Sequence, residues 1–145
     1  MFVDASAIIA ILNEEADGEA LNARLESDGG PFYVSALARL EAATGLARAK
    51  VRGAKPTAEH LKTAESLVDA FAEAIGAEDI DISPEIGRLA LEACRRFGKS
   101  VGHPADLNFG DCFAYACAKA KGTGLLFKGN DFSRTDIETP ETSQT

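Results

Sequence analysis

FVDASAIIAIL, residues 2–12, passes from strand to turn to helix within a few residues. Met1 to Val3 reads as a short buried strand, Asp4 ends it, and Ala5 to Leu12 is an apolar run built of helix formers. The same alternation recurs along the chain. After a GGP turn at 29–31, FYV at 32–34 is a second strand, IDIS at 80–83 a third and GLLF at 124–127 another. Between them lie helical stretches. One follows Asp17 with Leu21 and Leu25 inward. Another starts at Ser35, a cap residue, carries Leu37, Leu40, Thr44 and Ala47 on one face, and breaks at GAKPT, 53–57. A third runs from 58 to 75 with Leu61, Leu67, Val68, Phe71 and Ile75 at a 3.6-residue period. Ser83 and Pro84 open a fourth, striped by Ile86, Leu89, Ala90, Cys94 and Phe97. After a loop at 98–107, Asn108 caps a last helix that is apolar nearly all round and therefore central. Short apolar strands alternating with helices predict an α/β/α sandwich around a mostly parallel sheet of four to five strands, with right-handed crossovers.

The chain has 145 residues, 46% of them hydrophobic, which predicts one globular domain over 1–138. The polar TPETSQT tail at 139–145 reads as disordered. A domain of this size buries about 68–70% of its unfolded surface and needs no disulfide or metal staple. Cys94, Cys112 and Cys117 lack any CxxC spacing and read as reduced core thiols. The opening segment is too short to span a bilayer and lacks the basic start of a signal peptide, so the expected compartment is cytoplasmic.

With 15 Lys plus Arg against 23 Asp plus Glu, the net charge of −8 argues against a protein that coats nucleic acid. The charge is uneven, however. Arg39, Arg48, Lys50, Arg52 and Lys55 cluster around Glu41 alone, and Arg95, Arg96 and Lys99 form a second basic group. These suit either local contact with a polyanion or ordinary solvated helix faces.

Sites in open parallel sheets form beyond the carboxyl ends of the strands, and here those positions are acidic. Asp4 follows the first strand, Glu41 lies in the helix after the second, Asp111 opens the central helix, and Asp131 follows GLLF in the turn KGNDF. Four acids without a matching His or Cys set describe an oxygen-rich pocket of the kind Mg²⁺ or Mn²⁺ prefers. Structural readings compete for three of them. Asp4 can cap its helix, Asp111 can answer a helix dipole, and Asp131 can be turn chemistry. Glu41 has no Lys or Arg three or four residues away and flanks an apolar stripe, so it calls for a cation. Ser6, beside Asp4, suits either packing or contact with a bound water or phosphate. His60 and His103 have no nearby nucleophile to serve. A haloacid-dehalogenase phosphatase would need a second Asp at position 6, and neither a GxxxxGK[ST] loop nor a GxGxxG motif is present.

FVDASAIIAIL, SALARLEAATGLARA at 35–49, NFGDCFAYACAKA at 108–120 and LLFKGNDFSRTDI at 125–137 together resemble the PIN-domain ribonucleases, specifically the VapC toxins of type II toxin–antitoxin modules. The resemblance spans essentially the whole chain in order. It implies a Mg²⁺ site of Asp4, Glu41 and Asp111 with Asp131 as the fourth acid, Asp4 and Asp111 being the direct ligands and Mn²⁺ a substitute ion. Ser6 matches the family's small hydroxyl residue. Because the KGNDF turn is short, Asn130 competes with Asp131 for the fourth position, and Asp106 is a further acid nearby. The implied activity is endonucleolytic hydrolysis of structured RNA such as transfer RNA, with Arg39, Arg48 and Arg52 as candidate RNA contacts. A homodimer and a cognate antitoxin whose C-terminal segment crosses the cleft are implied likewise. The alternatives are a non-catalytic PIN-like module that binds RNA or protein, and a metal-dependent phosphatase or DNA nuclease on a similar sheet.

Overall fold

The structure, a computed structural model, describes residues 1–137. The tail at 139–145 therefore lies outside the described residues. Four short parallel strands, β1 (Phe2–Val3), β2 (Tyr33–Ser35), β3 (Glu78–Ile80) and β4 (Leu125–Leu126), pair in the order β3-β2-β1-β4. Helices α1 (Ala5–Leu12) and α2 (Gly18–Asp28) join β1 to β2, α3 (Ala36–Val51) and α4 (Ala58–Ala74) join β2 to β3, and α5 (Pro84–Phe97) and α6 (Phe109–Lys121) join β3 to β4.

Strand alternation divides the core in two. Phe2, Ile80 and Leu125 pack with α5 and α6 on one face, whereas Val3, Val34 and Leu126 pack with α1, α2, α3 and α4 on the other. The expected three-layer α/β/α sandwich is thus what forms. The chain steps outward from β1 to β3 and returns to pair β4 with β1, so the order reverses between β1 and β4. That reversal opens a crevice at the carboxyl ends of the two strands, where Asp4 and the 128–131 turn emerge.

Three local expectations need correction. The third strand is Glu78–Ile80, two residues earlier than IDIS. It is an edge strand, where exposed charges such as Glu78 and Asp79 are tolerated and guard against pairing with other chains, so its polarity concealed it. Leu40 is 63% exposed, and α3 instead buries Ala38, Ala42, Ala43, Leu46 and Ala47. The reason is close approach: a Cβ at Gly45 would collide with Ile9 of α1, and only small side chains fit such a contact. Leu61 and Leu67 are likewise exposed on α4, whose buried face is Ala64, Val68, Phe71 and Ala72. Helix α6 matches its reading as the central helix, burying Gly110, Cys112 and every residue from Ala114 to Ala118.

Candidate active site

Asp4 is buried at the end of β1, and its backbone N–H donates to Leu126 O of β4 at 2.9 Å. Its Oδ2 accepts from the Ser6 backbone N–H at 3.0 Å and from the Ser6 hydroxyl at 2.5 Å. Asp4 therefore does cap α1, as one reading of the sequence held. The cap occupies a single oxygen, and among the described residues nothing donates a hydrogen bond to Oδ1. Ser6 Oγ in turn accepts from the Lys128 N–H at 3.0 Å, which ties the segment leaving β4 to the start of α1.

Asp111 repeats the arrangement. Asn108 Oδ1 accepts from the Asp111 N–H at 2.9 Å, and Asp111 Oδ2 accepts from the Asn108 N–H at 3.0 Å, closing a capping box at the start of α6. Again one carboxylate oxygen serves the helix and the other has no donor among the described residues.

Glu41, on α3, makes no hydrogen bond or ion pair through its carboxylate with a described residue. That carboxylate lies over Gly110, where a Cβ would overlap it. Glycine alone has no Cβ. At position 110 it admits the Glu41 head group beside Asp111. This glycine belongs to the candidate site and was missed in the sequence; the signal was a glycine directly before an acid in the first turn of an otherwise strong helix.

The three acids repel one another. Burial, with the charges of Asp4 and Asp111 added, pushes Glu41 up to about 7. Burial is also the main reason Asp111 rises to about 6, against its Asn108 hydrogen bond and with help from the charges of Asp4, Asp131 and Asp106. Asp4 is raised by burial despite the hydrogen bonds from Ser6 and the favourable influence of the Ala5 backbone, and Asp131 adds to the rise. None of the four acids pairs with a cationic side chain among the described residues.

Asp131 is exposed and makes no capping hydrogen bond, while its charge reaches both Asp4 and Asp111. Asn130 is engaged differently: its carbonyl accepts from the Ser133 N–H and hydroxyl. The turn is pinned by Lys128, whose ammonium pairs with Glu15 at 2.5 Å and Asp17 at 3.7 Å. Lys128 too was overlooked in the sequence, since its partners lie more than a hundred positions away. Asp106, in the left-handed region at φ 55°, is the weakest of the acidic neighbours of Asp111.

Among the described residues no three His, Cys or acidic side chains converge closely enough to hold one ion between them. Mg²⁺ does not require such a cage, because it keeps several waters and is bound through one or two carboxylates. The free oxygens of Asp4 and Asp111, in a cleft of mutually repelling acids, fit that requirement. The basic residues fare unequally. Arg39 is not free for RNA: it grips Asp79 of β3 with two hydrogen bonds of 2.9 Å and Asp69 of α4 at 2.8 Å, clamping three elements together. Arg48 and Arg52 are exposed, roughly 10 and 16 Å along the helical rise from Glu41. His103 packs its ring edge-on against Phe97 and accepts from the Ala105 N–H, a structural role. Cys94, Cys112 and Cys117 are free thiols, and burial pushes both Cys112 and Cys117 up to about 11.

A family model described as the PIN domain matches residues 1–138. The chain belongs to the PIN-domain family. Within that family it is similar to a VapC ribonuclease of Rhizobium meliloti, with 48% identity over 139 residues that cover 94% of this chain and 98% of that one. A VapC ribonuclease of Mycobacterium bovis is 35% identical over 142 residues, covering 94% and 96% of the two chains. Ribonuclease VapC30 of Mycobacterium tuberculosis is 34% identical over 139 residues, covering 96% and 97%. The chain is a PIN-domain protein of the VapC group, as the four quoted motifs implied. No helix among its described residues is long and apolar enough to cross a membrane.

Proposed function

We propose that this protein is the ribonuclease toxin of a toxin–antitoxin pair and that it hydrolyses RNA phosphodiester bonds at Asp4, Glu41, Asp111 and Asp131 with Mg²⁺, for which Mn²⁺ substitutes. The similarity to VapC ribonucleases over nearly the full chain supports the reaction class. The observation that carries the site is the pairing of Asp4 and Asp111, each with one oxygen engaged by its own helix and one oxygen free.

Those free oxygens would hold the ion, which when bound supplies Lewis-acid activation of water and positive charge against the phosphate. The chain's own residues do the rest. Ser6 and Asn108 lock the two carboxylates in place, so no reorganisation is needed when substrate arrives. Glu41, half-buried and without a partner, orients water or accepts its proton near neutrality. Asp131, on the exposed rim, completes the acidic lining. Arg48 and Arg52 contact the RNA backbone outside the cleft, where structured RNA is recognised by shape and exposed loops. The unneutralised acids also suit the antitoxin: a basic side chain laid across the cleft would relieve the repulsion among them. A homodimer working in the cytoplasm, and transfer RNA as a target, complete the proposal.

The test is cleavage of purified total RNA by antitoxin-free protein in Mg²⁺, beside an Asp111→Asn variant prepared identically. Discrete fragments from the wild type alone are expected. Equal cutting by both, or by neither, contradicts the proposal.

A further inference from the structure

On the α5–α6 side, the surface beside the acids turns apolar. A cavity of about 490 Å³ opens between these helices, within the size range of small-ligand pockets, about 300–1,000 Å³. Leu91, Leu107 and Phe113 line it, and Phe109 stands at its edge 73% exposed. The Phe109 ring is tilted 57° to that of Phe113, with centroids 5.1 Å apart. Phe109 is the first residue of α6 and leaves an aromatic face in water.

The place of this groove argues for its occupant. Asn108 and Cys112, the third residue before Asp111 and the first after it, both line the groove, so it abuts the position proposed for the reacting phosphate. Lys99 and Ser100 also line it, and Lys99 pairs with no acid among the described residues. A flat aromatic ring attached to a phosphate matches this combination: an exposed aromatic face to stack on, an apolar floor and one ammonium beside them. Bases released from a helix stack on such aromatics, and every base offers a π-face. A purely apolar protein segment would make no use of the ammonium.

We propose that the α5–α6 groove is a nucleobase subsite, in which one unstacked base of the RNA stacks on Phe109 while its phosphate lies toward Asp111 and Lys99. The proposal rests on the ribonuclease reading above and deepens it. Phe109 thereby becomes a specificity-determining residue, and cleavage is directed to loops whose bases can leave the stack.

The chain contains no tryptophan, so Phe109→Trp places a single indole reporter in the groove. In EDTA, a short single-stranded RNA should quench its emission saturably, and an abasic strand of equal length should not. Equal quenching by both strands overturns the subsite. So does emission that shifts with protein concentration without RNA, which would mean that a second copy covers the groove. In cleavage assays Phe109→Ala should raise KM about tenfold or more, affecting kcat less, and Phe109→Tyr should restore it. An unchanged KM in a wild-type enzyme that does cut RNA refutes the subsite alone, whereas a wild type that cuts no RNA refutes the ribonuclease reading.

Discussion

Asp136 and Asp111 are the same residue type placed in opposite surroundings. Tyr115 donates to Asp136 at 2.5 Å, and Arg96 and Lys119 pair with it at 3.3 and 3.4 Å. Burial would raise Asp136, but these hydrogen bonds and cations outweigh it and hold the carboxyl below its usual range. Asp111 has only a backbone N–H from Asn108, and burial with three acidic neighbours carries it up to about 6. Where the fold needs an acid for stability, it supplies cations; in the cleft it leaves acids facing one another. The clamp of Arg39 on Asp69 and Asp79 belongs to the first kind. An unpartnered, mutually repelling cluster costs stability until protons or a cation from outside the chain neutralise it, and such perturbed groups collect at functional sites.

The largest effect should come from neutralising a cleft acid. Asp111→Asn keeps the cap, because an amide oxygen still accepts from Asn108, and should lower RNA cleavage about 100-fold or more while leaving the fold intact by circular dichroism. Gly110→Ala comes next. It should improve helix propensity yet displace Glu41, lowering cleavage about tenfold by misplacement alone. Retention of full activity would show that the close approach of α3 to α6 does not matter.

Glu41→Gln probes the cost of the cluster itself. Glu41 is raised from 4.5 to about 7 in the folded protein, so its favourable contribution is present in full below pH 4.5 and lost as pH rises through 7. Metal-free Glu41→Gln should therefore be more stable than wild type at pH 8, by about 1–2 kcal/mol after solvent screening discounts the full shift, and not at pH 4. Denaturant melts at the two pH values decide this. Asp136→Asn should show the opposite sign and the smallest size. Its depressed acid stabilises above its unfolded value of 3.8 and ceases to do so as pH falls through the folded one, so the variant should lose under about 1 kcal/mol at pH 7. A gain there would erase the contrast between the two clusters.

Much of this was legible locally. Asp4, Ser35, Ser83 and Asn108 announce helices α1, α3, α5 and α6, and each side chain does accept the expected backbone hydrogen bond. The acids were legible because the carboxyl ends of parallel strands converge. Burial judged by hydrophobicity failed at Leu40, where the close packing of α3 on α1 selects alanine and glycine over leucine, and at Leu61 and Leu67, which lie off the stripe of Ala64, Val68, Phe71 and Ala72 that α4 buries. The charged edge strand β3 failed for a related reason, since half of an edge strand faces water. Arg39 and Lys128 were opaque because an ion pair across 40 or 113 positions leaves no trace in local spacing. Capping and metal ligation looked like rival readings of Asp4 and Asp111, but a carboxylate has two oxygens and can serve both.

The most direct measurement is the thermal stability of the metal-free protein at pH 8 as Mg²⁺ or Mn²⁺ is added. An ion that binds only the folded state contributes about 2.7 kcal/mol at one hundred times its Kd, which for a chain of this size raises Tm by about 5 °C or more. Tm should rise in this way for the wild type and for Asp136→Asn, and should not rise for Asp4→Asn and Asp111→Asn. A wild type whose Tm is indifferent to the ion, or cleft variants that respond as the wild type does, would contradict the proposed metal site.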